Sequence, residues 1–554
     1  MHSYWMGVRL HFNQQTRDAP AGESLFVCGE GMGIRIPTSC RMQGRCKECV
    51  VEVVEGLELL TPPGPEERHL AGNFRLSCQA RIAAAEGAIR CHTMRRGEMR
   101  IEKRAFELPA PGRPRSLDPA VTRDGERVLL DGAEIARGEG PLHGLAIDLG
   151  TTTVVLRLLD LESGETVADS SFENPQRFGG SDVMARIAYD DRDGSRVLQR
   201  TLAGYLTHAI EEFPVDPRTI YEVVIAGNST MRDLFFGLSV HSIGQSPYRS
   251  ATELELASGA RATTSLAERA RRLGLPVHPR ARAYGLPIVS GHVGADAAAC
   301  MLAVDLAREE RLIAVMDIGT NTELIVGNRH RLLAASCPAG PAFEGGQIAF
   351  GMPGLPGAIE KVRIGEDGAV RISVIGGVPA EGICGSGLID LLAELRRTGR
   401  MNALGRFEDG PAEFVVAHGE RPVTFGESDI NALAQAKGAN VAGLRIAFQE
   451  YGIKASELDR FYLAGGFGRH LDLGSAKRIG LIPNLDAARI FQIGNASVEG
   501  AAIALLSRSR RAELEDLVRR AVHCRLETNP GFFDAFVEGC QFAPVEDAPG
   551  VPSV

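Results

Sequence analysis

Several features are missing from this sequence of 554 residues, and each absence narrows what the protein can be. No apolar run approaches the roughly 20 residues that a membrane-spanning helix needs, so we expect no membrane partner. The first residues, MHSYWMGVRLHF, are not typical of a secretory signal peptide, so we expect a cytoplasmic protein. Positive charge is not in excess, since the net charge is −9, and we expect no nucleic-acid partner. What remains is a globular chain long enough for three or more domains.

The eleven cysteines are the first positive signal. In a cytoplasmic protein they favour metal or redox chemistry over a disulfide framework. Cys40, Cys46 and Cys49 follow the spacing C-x5-C-x2-C on one glycine-containing loop, and Cys78 comes later in the chain. Three thiolates on one loop with a distant fourth predict a [2Fe–2S] cluster. A zinc site of four cysteines is the alternative, but such sites usually have two C-x2-C pairs and this sequence has one here.

The segment around these cysteines predicts a β-grasp ferredoxin domain over residues 1–94. We expect a strand at 8–12, a short helix at 23–31 and a strand at 50–54. The x5 spacing is one residue longer than in plant ferredoxins, so the loop resembles that of adrenodoxin-like members more. Cys28 on the predicted helix and Cys91 after the last strand are expected to be buried thiols rather than ligands. Residues 95–142, rich in arginine, proline and charge, predict a linker with one small hairpin near 127–135.

Two later segments repeat one pattern: LAIDLGTTTVVL at 145–156 and LIAVMDIGTNTELIVGN at 312–328. Each predicts an apolar strand, a tight turn and a second apolar strand. Glycine in the turn lets the backbone approach a ligand, and the hydroxyl, amide and N–H groups suit a phosphate. The aspartate at the strand end suits a Mg²⁺-bound water, because direct contact with phosphate would oppose two anions. Two copies predict a duplicated lobe that grips one phosphate chain from both sides.

These loops resemble the two phosphate motifs of the actin-like ATPase superfamily, which includes acetate and sugar kinases, Hsp70 and actin. The helix start GADAAA at 294–299, the strand end AGGFG at 464–468 and GNAS at 494–497 resemble its remaining motifs, in its order. The resemblance implies a multidomain α/β fold with ribonuclease-H-like lobes at 143–310 and 311–554. It implies that ATP and Mg²⁺ are held by Asp148, Gly150, Thr151, Thr152, Thr153, Asp317, Gly319, Thr320, Asn321, Thr322, Gly465, Gly466 and Gly468.

Four roles stay open in the sequence. Lys437 resembles the lysine that Hsp70 relatives place against the nucleoside, although an exposed helix lysine is an equal alternative. Either Asp317 or Glu344 is expected to orient the water that attacks ATP. The GSG at 385–387 either cradles a phosphate or permits tight packing. The GNST segment at 227–230 has two interpretations. It forms one edge of an anion or substrate site, or its serine or threonine caps the following helix.

A [2Fe–2S] ferredoxin domain, a linker and an actin-like ATPase core in one chain resemble the reductive activators of corrinoid proteins, over essentially the whole chain. The resemblance implies that the protein uses ATP to return an inactive Co(II) corrinoid protein to Co(I), one electron at a time. It implies that Cys40, Cys46, Cys49 and Cys78 hold the cluster. An upstream electron donor and a homodimer are further expectations from the family.

Two other classes of function stay open. One is a small-molecule kinase fused to a redox sensor, although no clear sugar-binding signature is present. The other is a redox-regulated, nucleotide-gated binding protein whose site no longer turns over, although both loops keep their aspartate and threonines. A neighbouring family, the activators of 2-hydroxyacyl-CoA dehydratases, shares the ATPase fold but holds a [4Fe–4S] cluster between subunits and lacks a ferredoxin domain.

Overall fold

The N-terminal part alternates buried and exposed side chains along several short segments, which is typical of half-buried strands. The computed structural model describes residues 7–95, 117–408, 413–419, 421–466, 468 and 471–545. The N-terminal elements are β1 (Val8–Phe12), β2 (Gln15–Ala19), α1 (Leu25–Gly31), β3 (Val50–Glu55), β4 (Phe74–Leu76) and β5 (Ala88–Thr93). The strands form one mixed sheet in the order β2-β1-β5-β3-β4, with β1 parallel to β5. This is the predicted β-grasp ferredoxin fold.

The elements of this domain agree with the sequence except at two points. The predicted strand at 8–12 is confirmed, whereas the helix begins later than predicted, at Leu25, because Ser24 caps it by accepting from the N–H of Val27. Cys28 is buried, as expected, and its thiol donates to Glu23. The prediction that Cys91 follows the last strand is wrong, because Cys91 lies inside β5 with its side chain turned into the core.

The predicted linker is folded where the structure describes it; residues 96–116 lie outside the described residues. The region 117–142 forms a three-stranded antiparallel sheet, one strand more than the predicted hairpin. Val121, Val128 and Ile135 alternate inward and join the core of the ATPase unit, so this region packs on the protein instead of forming a tether. Its strands are β6 (Val121–Asp124), β7 (Arg127–Leu130) and β8 (Ala133–Arg137).

The first lobe is built on a six-stranded sheet. Its elements are β9 (His143–Leu149), β10 (Thr153–Asp160), β11 (Thr166–Glu173), α2 (Val183–Asp193), α3 (Val197–Glu211), β12 (Ile220–Gly227), α4 (Ser229–Phe235), α5 (Ala251–Ala257), β13 (Leu266–Arg269), β14 (Arg282–Gly285) and α6 (Ala295–Ala303). The strand order is β11-β10-β9-β12-β14-β13.

The second lobe repeats this plan with insertions. Its elements are β15 (Ile313–Asp317), β16 (Thr322–Gly327), β17 (Leu332–Cys337), β18 (Ala358–Ile364), β19 (Val370–Val374), β20 (Gly382–Ile383), α7 (Gly385–Arg397), β21 (Glu413–Ala417), β22 (Val423–Gly426), α8 (Glu427–Tyr451), β23 (Arg460–Ala464), α9 (Leu473–Arg478), β24 (Ile490–Gly494), α10 (Ala496–Leu506), α11 (Arg508–Arg520), β25 (Val522–His523) and α12 (Phe532–Gly539). The main sheet has the order β24-β23-β15-β16-β17-β25. Within the described ranges, no helix combines the length and the apolar character that a membrane crossing would need.

The strand register confirms the predicted duplication. In each lobe an antiparallel strand pair is flanked by a parallel third strand: β9 pairs with β10 and β12, and β15 pairs with β16 and β23. Asp148 lies opposite Ala226 of β12, and Asp317 lies opposite Ala464 of β23. The two aspartates therefore occupy equivalent positions at the ends of equivalent strands.

Two helices made of small residues join the lobes. Helix α6 packs on α10, and a Cβ added at Gly500 would lie 2.0 Å from the carbonyl oxygen of Ala299. This close approach requires glycine and agrees with the crossing predicted from GADAAA. Helix α10 also packs on β9 and β12 although it comes late in the chain, so the C-terminal segment completes the core of the first lobe.

Candidate functional site

The two repeated loops meet face to face between the lobes. The hydroxyl oxygens of Thr152 and Thr320 lie 2.7 Å apart. Glu344 joins them, since its carboxylate accepts from Thr152 at 2.8 Å and also accepts from Thr320. Glu344 ends a short 3₁₀ helix, and Gly345 follows in the left-handed conformation at φ 88°. The chain turn therefore delivers this carboxylate to the point where the loops touch.

The loops line a cleft between the lobes. Most of the predicted nucleotide and catalytic residues line it together, which sequence position alone does not require. Thr322 and Gly468 do not line this cleft. Thr322 is fully buried, and a Cβ added at Gly468 would lie 3.6 Å from the carbonyl oxygen of Leu463. Phe467 of the AGGFG motif lies outside the described residues. The predicted residues along the cleft are Asp148, Gly150, Thr151, Thr152, Thr153, Asp317, Gly319, Thr320, Asn321, Glu344, Gly465 and Gly466.

Lys437 is not among the residues that line the cleft, and it is not an exposed helix lysine either. Its side chain is 1% exposed, with the ammonium 5.9 Å from the centre of the Phe542 ring and 3.5 Å from the carbonyl oxygen of Gly480. Burial lowers the pKa of Lys437 to about 8. The helix α8 that carries it presents this residue to the core of the second lobe.

Carboxylates concentrate at the floor of the cleft. Burial and the nearby carboxylate of Asp148 raise the pKa of Asp317 to about 7, and burial raises the pKa of Asp296 to about 7 as well. Burial also raises the pKa values of Asp148, Glu323 and Glu344. When these carboxylates are ionised they repel one another, and a bound cation would offset that repulsion. The oxygen donors suit Mg²⁺, which is usually held by one or two carboxylates, waters and phosphate oxygens.

The two strand-end aspartates have different partners, which the sequence did not reveal. Asp148 accepts from the amide of Asn495 and from the hydroxyl of Ser497, both at 2.8 Å. Asp317 accepts from the thiol of Cys300 at 3.3 Å. The one signal available was the polar segment GNAS at 494–497, which spans the end of β24 and the start of the apolar helix α10.

Two side chains that the sequence did not identify, Asn174 and Arg186, donate hydrogen bonds to the first phosphate loop. The Asn174 amide donates to the carbonyl of Gly150 at 2.8 Å, and the guanidinium of Arg186 donates to the carbonyl of Thr151 at 2.6 Å. Asn228 holds the same loop, since its amide donates to the Thr151 hydroxyl at 2.9 Å. Asn228, and not the serine or threonine after it, caps α4. The GNST segment thus both caps a helix and lines the cleft.

Two glycine segments from the second lobe complete the cleft. A Cβ at Gly465 would lie 2.3 Å from the carbonyl oxygen of Ile318, and its φ of 109° strains any other residue. Gly466 faces open space. Gly385 and Ser386 also line the cleft, and the Ser386 hydroxyl donates to the carbonyl of Glu360. Gly387 is needed for packing, because its Cβ would lie 2.2 Å from the carbonyl oxygen of Ile359.

Three of the predicted cluster cysteines lie on the loop between α1 and β3 and Cys78 lies just after β4, and together they form two pairs. The thiols of Cys40 and Cys46 are in hydrogen-bond contact, and so are those of Cys49 and Cys78. Backbone N–H groups of the loop point at the sulfurs of Cys40 and Cys78, as sulfur ligands of a cluster require. Two pairs suit two irons with two thiolates each.

Comparison with known proteins matches this architecture part by part. Three family models match successive regions: a 2Fe-2S iron-sulfur cluster binding domain at 10–83, the RACo middle region at 143–309, and the C-terminal ASKHA domain of RACo at 311–554.

The relatives cover between 71% and 93% of this chain. The corrinoid activation enzyme RamQ of Eubacterium limosum is 29% identical, over 93% of this chain and 95% of RamQ. The [Co(II) methylated amine-specific corrinoid protein] reductase of Methanosarcina barkeri is 26% identical, over 71% of this chain and 75% of the reductase. A solved reductive activator for a corrinoid, iron-sulfur protein aligns with a TM-score of 0.71 and 29% identity, over 97% of this chain and 99% of that one.

The ferredoxin fold with paired cysteines, the doubled phosphate loops and these matches lead to one assignment. The chain has a [2Fe–2S] cluster-binding domain followed by an ATP-binding ASKHA unit. It belongs to the RACo family of reductive activators of corrinoid proteins.

Proposed function

We propose that this protein is an ATP-dependent reductive activator, which returns an inactive Co(II) corrinoid protein to Co(I) by transfer of one electron. The observation that carries the proposal is the presence, in one chain, of two cysteine pairs that suit a [2Fe–2S] cluster and a carboxylate-lined phosphate cleft. The names of the relatives support the corrinoid protein as substrate.

A cluster domain and an ATP-binding cleft in one chain are suited to a reduction that is energetically uphill. Co(I) is a strongly reducing state, and each 59 mV of uphill one-electron transfer costs about 1.4 kcal/mol. Selective binding of the Co(II) partner, followed by ATP-driven release, supplies this free energy if the two states of the activator differ in affinity for the partner. A nucleotide cleft between two lobes that join through crossing helices is suited to produce two such states.

The cluster is assigned to Cys40, Cys46, Cys49 and Cys78, and when bound it supplies a one-electron donor. Because the cluster donates one electron each time it reduces a corrinoid, an upstream electron donor has to reduce the cluster again. The homodimer also belongs to this proposal and is checked by light scattering of the purified protein. The domain limits 1–94, 95–142, 143–310 and 311–554 are part of the proposal and define the fragments for limited proteolysis.

In the cleft, the hydroxyl and N–H groups of both loops are assigned to the phosphates and Gly465 and Gly466 to the adenosine. Asp148 and Asp317 are assigned to Mg²⁺ through water, since each lies at or next to the end of the strand that leads into a phosphate loop. Glu344 is the better candidate for orienting the attacking water, since its carboxylate already lies between the threonines of both loops. Asn495 and Ser497 are positioning residues for Asp148.

The test is spectroscopic. The protein is reduced anaerobically and mixed with a Co(II) corrinoid protein, and the Co(I) absorption is followed with and without Mg-ATP. We expect Co(I) to appear only with ATP, and to be abolished by Cys46→Ala and by Asp317→Ala. Cys28→Ala is the matched control, because Cys28 is buried in the same domain away from the paired thiols.

Several corrinoid proteins are compared in parallel, since relatives act on different ones. ATP turnover that none of them stimulates, with no Co(I) formed, would contradict the proposal. Phosphorylation of a small molecule under those conditions would instead support a kinase, and nucleotide binding without turnover would support a binding protein.

A further inference from the structure

The ferredoxin domain lies against the first lobe through ion pairs. Arg177, on the 3₁₀ helix that follows β11, pairs with Glu52 of β3 and lies over the ring of Phe74 at 5.9 Å. Arg95 and Glu212 form a second pair at 2.8 Å. Side chains of both units belong to one continuous apolar cluster.

The loop that carries the cluster cysteines is part of this contact. Lys47, between Cys46 and Cys49, pairs with Asp193 at 3.0 Å, and Asp193 is the last residue of α2. The guanidinium of Arg200 donates to the carbonyl of Cys46 at 3.3 Å. One side of the cluster loop is therefore covered by the first lobe.

The same segment of the first lobe also holds the first phosphate loop. The backbone N–H of Asn174 donates to the carbonyl of Thr152 at 2.6 Å, while its side chain holds Gly150 and Arg186 holds Thr151. Three consecutive loop carbonyls are thus bonded to residues 174–186. Arg177 lies within that stretch, and Asp193 ends the helix on which Arg186 stands. A shift of the loop would therefore reach two of the ion pairs that hold the cluster domain, Arg177–Glu52 and Lys47–Asp193.

The contact between the two phosphate loops indicates how a bound phosphate would affect the contact between the ferredoxin domain and the first lobe. The Thr152 and Thr320 hydroxyls are in direct contact at 2.7 Å, with Glu344 between them. A phosphate whose oxygens accepted from both loops between the two hydroxyls would have to part them, because the hydroxyls are in direct contact. Parting moves the first loop away from its partner, and the carbonyls of that loop carry Asn174 and Arg186 with them.

We propose that binding of nucleotide phosphates in the cleft and docking of the ferredoxin domain on the first lobe oppose each other. Residues Asn174 and Arg186 are the positioning residues that connect the two events. ATP loosens the docked cluster domain and frees the Cys46–Lys47 side of its loop for an electron-transfer partner. The inference rests on the proposed function, because it requires that ATP occupies this cleft.

Coupling is reciprocal, so weaker docking has to tighten nucleotide binding by the same factor. Glu52→Arg tests this from the ferredoxin side, because it repels Arg177 and leaves every residue of the first lobe unchanged. We expect the Kd for a Mg-bound, non-hydrolysable ATP analogue, measured by calorimetry, to fall about fivefold or more. Combining Glu52→Arg with Arg177→Glu restores the ion pair and is expected to return the Kd toward the original value.

Glu55→Arg is the matched control. It makes the same charge change on the same strand, but Glu55 pairs with Arg90 of its own domain at 3.6 Å and is exposed. Its Kd is expected to remain unchanged. The visible spectrum of each variant reports that the cluster is retained.

Hydrogen exchange of the unaltered protein is an independent measurement. Saturation with the ATP analogue is expected to speed exchange in α3, which supplies Arg200, and in β3, which supplies Glu52, because both elements contribute to the contact. An unchanged Kd in Glu52→Arg, or equal exchange with and without the analogue, would overturn the inference while ATP-dependent Co(I) formation left the proposed function intact. If the unaltered protein bound no nucleotide, both would be overturned.

Discussion

Thr152 and Thr320 are 168 positions apart in the chain, yet their hydroxyl oxygens lie 2.7 Å from each other. Thr320 is the third residue after Asp317 and Thr152 is the fourth after Asp148, so the two hold neighbouring rather than equivalent places in the repeated pattern. The contact therefore joins the two loops directly, without pairing equivalent residues. The Glu344 carboxylate accepts hydrogen bonds from both hydroxyls, so these two hydrogen bonds depend on the distance between the loops.

Replacing Glu344 by glutamine is expected to lower ATP turnover about 100-fold or more while nucleotide binding persists, because glutamine keeps the shape but cannot act as a base. Asp317→Asn is expected to raise the Mg²⁺ concentration needed for binding instead. Both effects are measured as kcat and nucleotide Kd at several Mg²⁺ concentrations. Full turnover in Glu344→Gln, with turnover lost in Asp317→Asn at saturating Mg²⁺, would reverse the two roles.

Gly465→Ala is expected to weaken nucleotide binding and to destabilise the second lobe by about 1–3 kcal/mol, because the backbone is in a conformation that alanine adopts only under strain. The new Cβ would also lie 2.3 Å from the carbonyl oxygen of Ile318. Gly466→Ala is the control for stability alone, since its Cβ meets nothing within 4 Å although the residue lines the cleft. Thermal unfolding and nucleotide Kd measure the two effects, and equal stability of both variants would contradict the argument.

Cys78→Ser is expected to lose the cluster, seen as a fall from about two irons per chain and as loss of visible absorption. Cys28→Ser is expected to keep both signals, because the Cys28 thiol on α1 donates to Glu23, which precedes that helix, and is not a predicted ligand. Iron analysis with the visible spectrum decides the matter. A full cluster in Cys78→Ser would show that a different residue supplies the fourth ligand.

Lys437 provides a prediction about pH. Its pKa is about 8 in the folded protein, below the value of about 10.4 expected when the chain is unfolded. The unfolded state therefore binds more protons between these values, so the stability contribution is present above pH 10.4 and is lost as the pH falls through 8. Lys437→Met is expected to stabilise the protein at pH 7 by on the order of 2 kcal/mol, with a smaller gain at pH 9.5.

Denaturant unfolding at the two pH values measures this difference. Nucleotide affinity is expected to stay unchanged in Lys437→Met, since the side chain is buried against Phe542 and does not line the cleft. A weaker nucleotide affinity would place Lys437 at the nucleoside, as the resemblance to Hsp70 suggested. An equal gain in stability at both pH values would remove burial of charge as the cause.

The local parts of the fold follow from local sequence. The strands that flank each phosphate loop are continuous apolar runs, and glycine with threonine specifies the turn between them, so the pattern at 145–156 and 312–328 predicts β9, β10, β15 and β16. The cluster loop is equally local, because three of its four cysteines fall within ten residues. The order of the superfamily motifs then predicts the architecture.

The sequence erred where apolar spacing was short or obscured by charge. The region 117–142 reads as a charged tether, yet Val121, Val128 and Ile135 suffice to fix a small sheet on the core. Cys91 follows a segment with little apolar character and was placed after the strand instead of inside it. Pairing with β1, a long-range contact, makes this segment a strand.

The sequence by itself determined the chemistry: thiolates for a cluster, two phosphate loops with their aspartates, and the lobes that carry them. It could do so because each of these is a short pattern whose residues act on their immediate neighbours. Only the tertiary structure decided which side chains support the site, namely Asn174, Arg186, Cys300, Asn495 and Ser497, and that Lys437 lies apart from it. These contacts join residues far apart in the chain, and their partners are fixed by how sheets and helices pack, which no local pattern specifies.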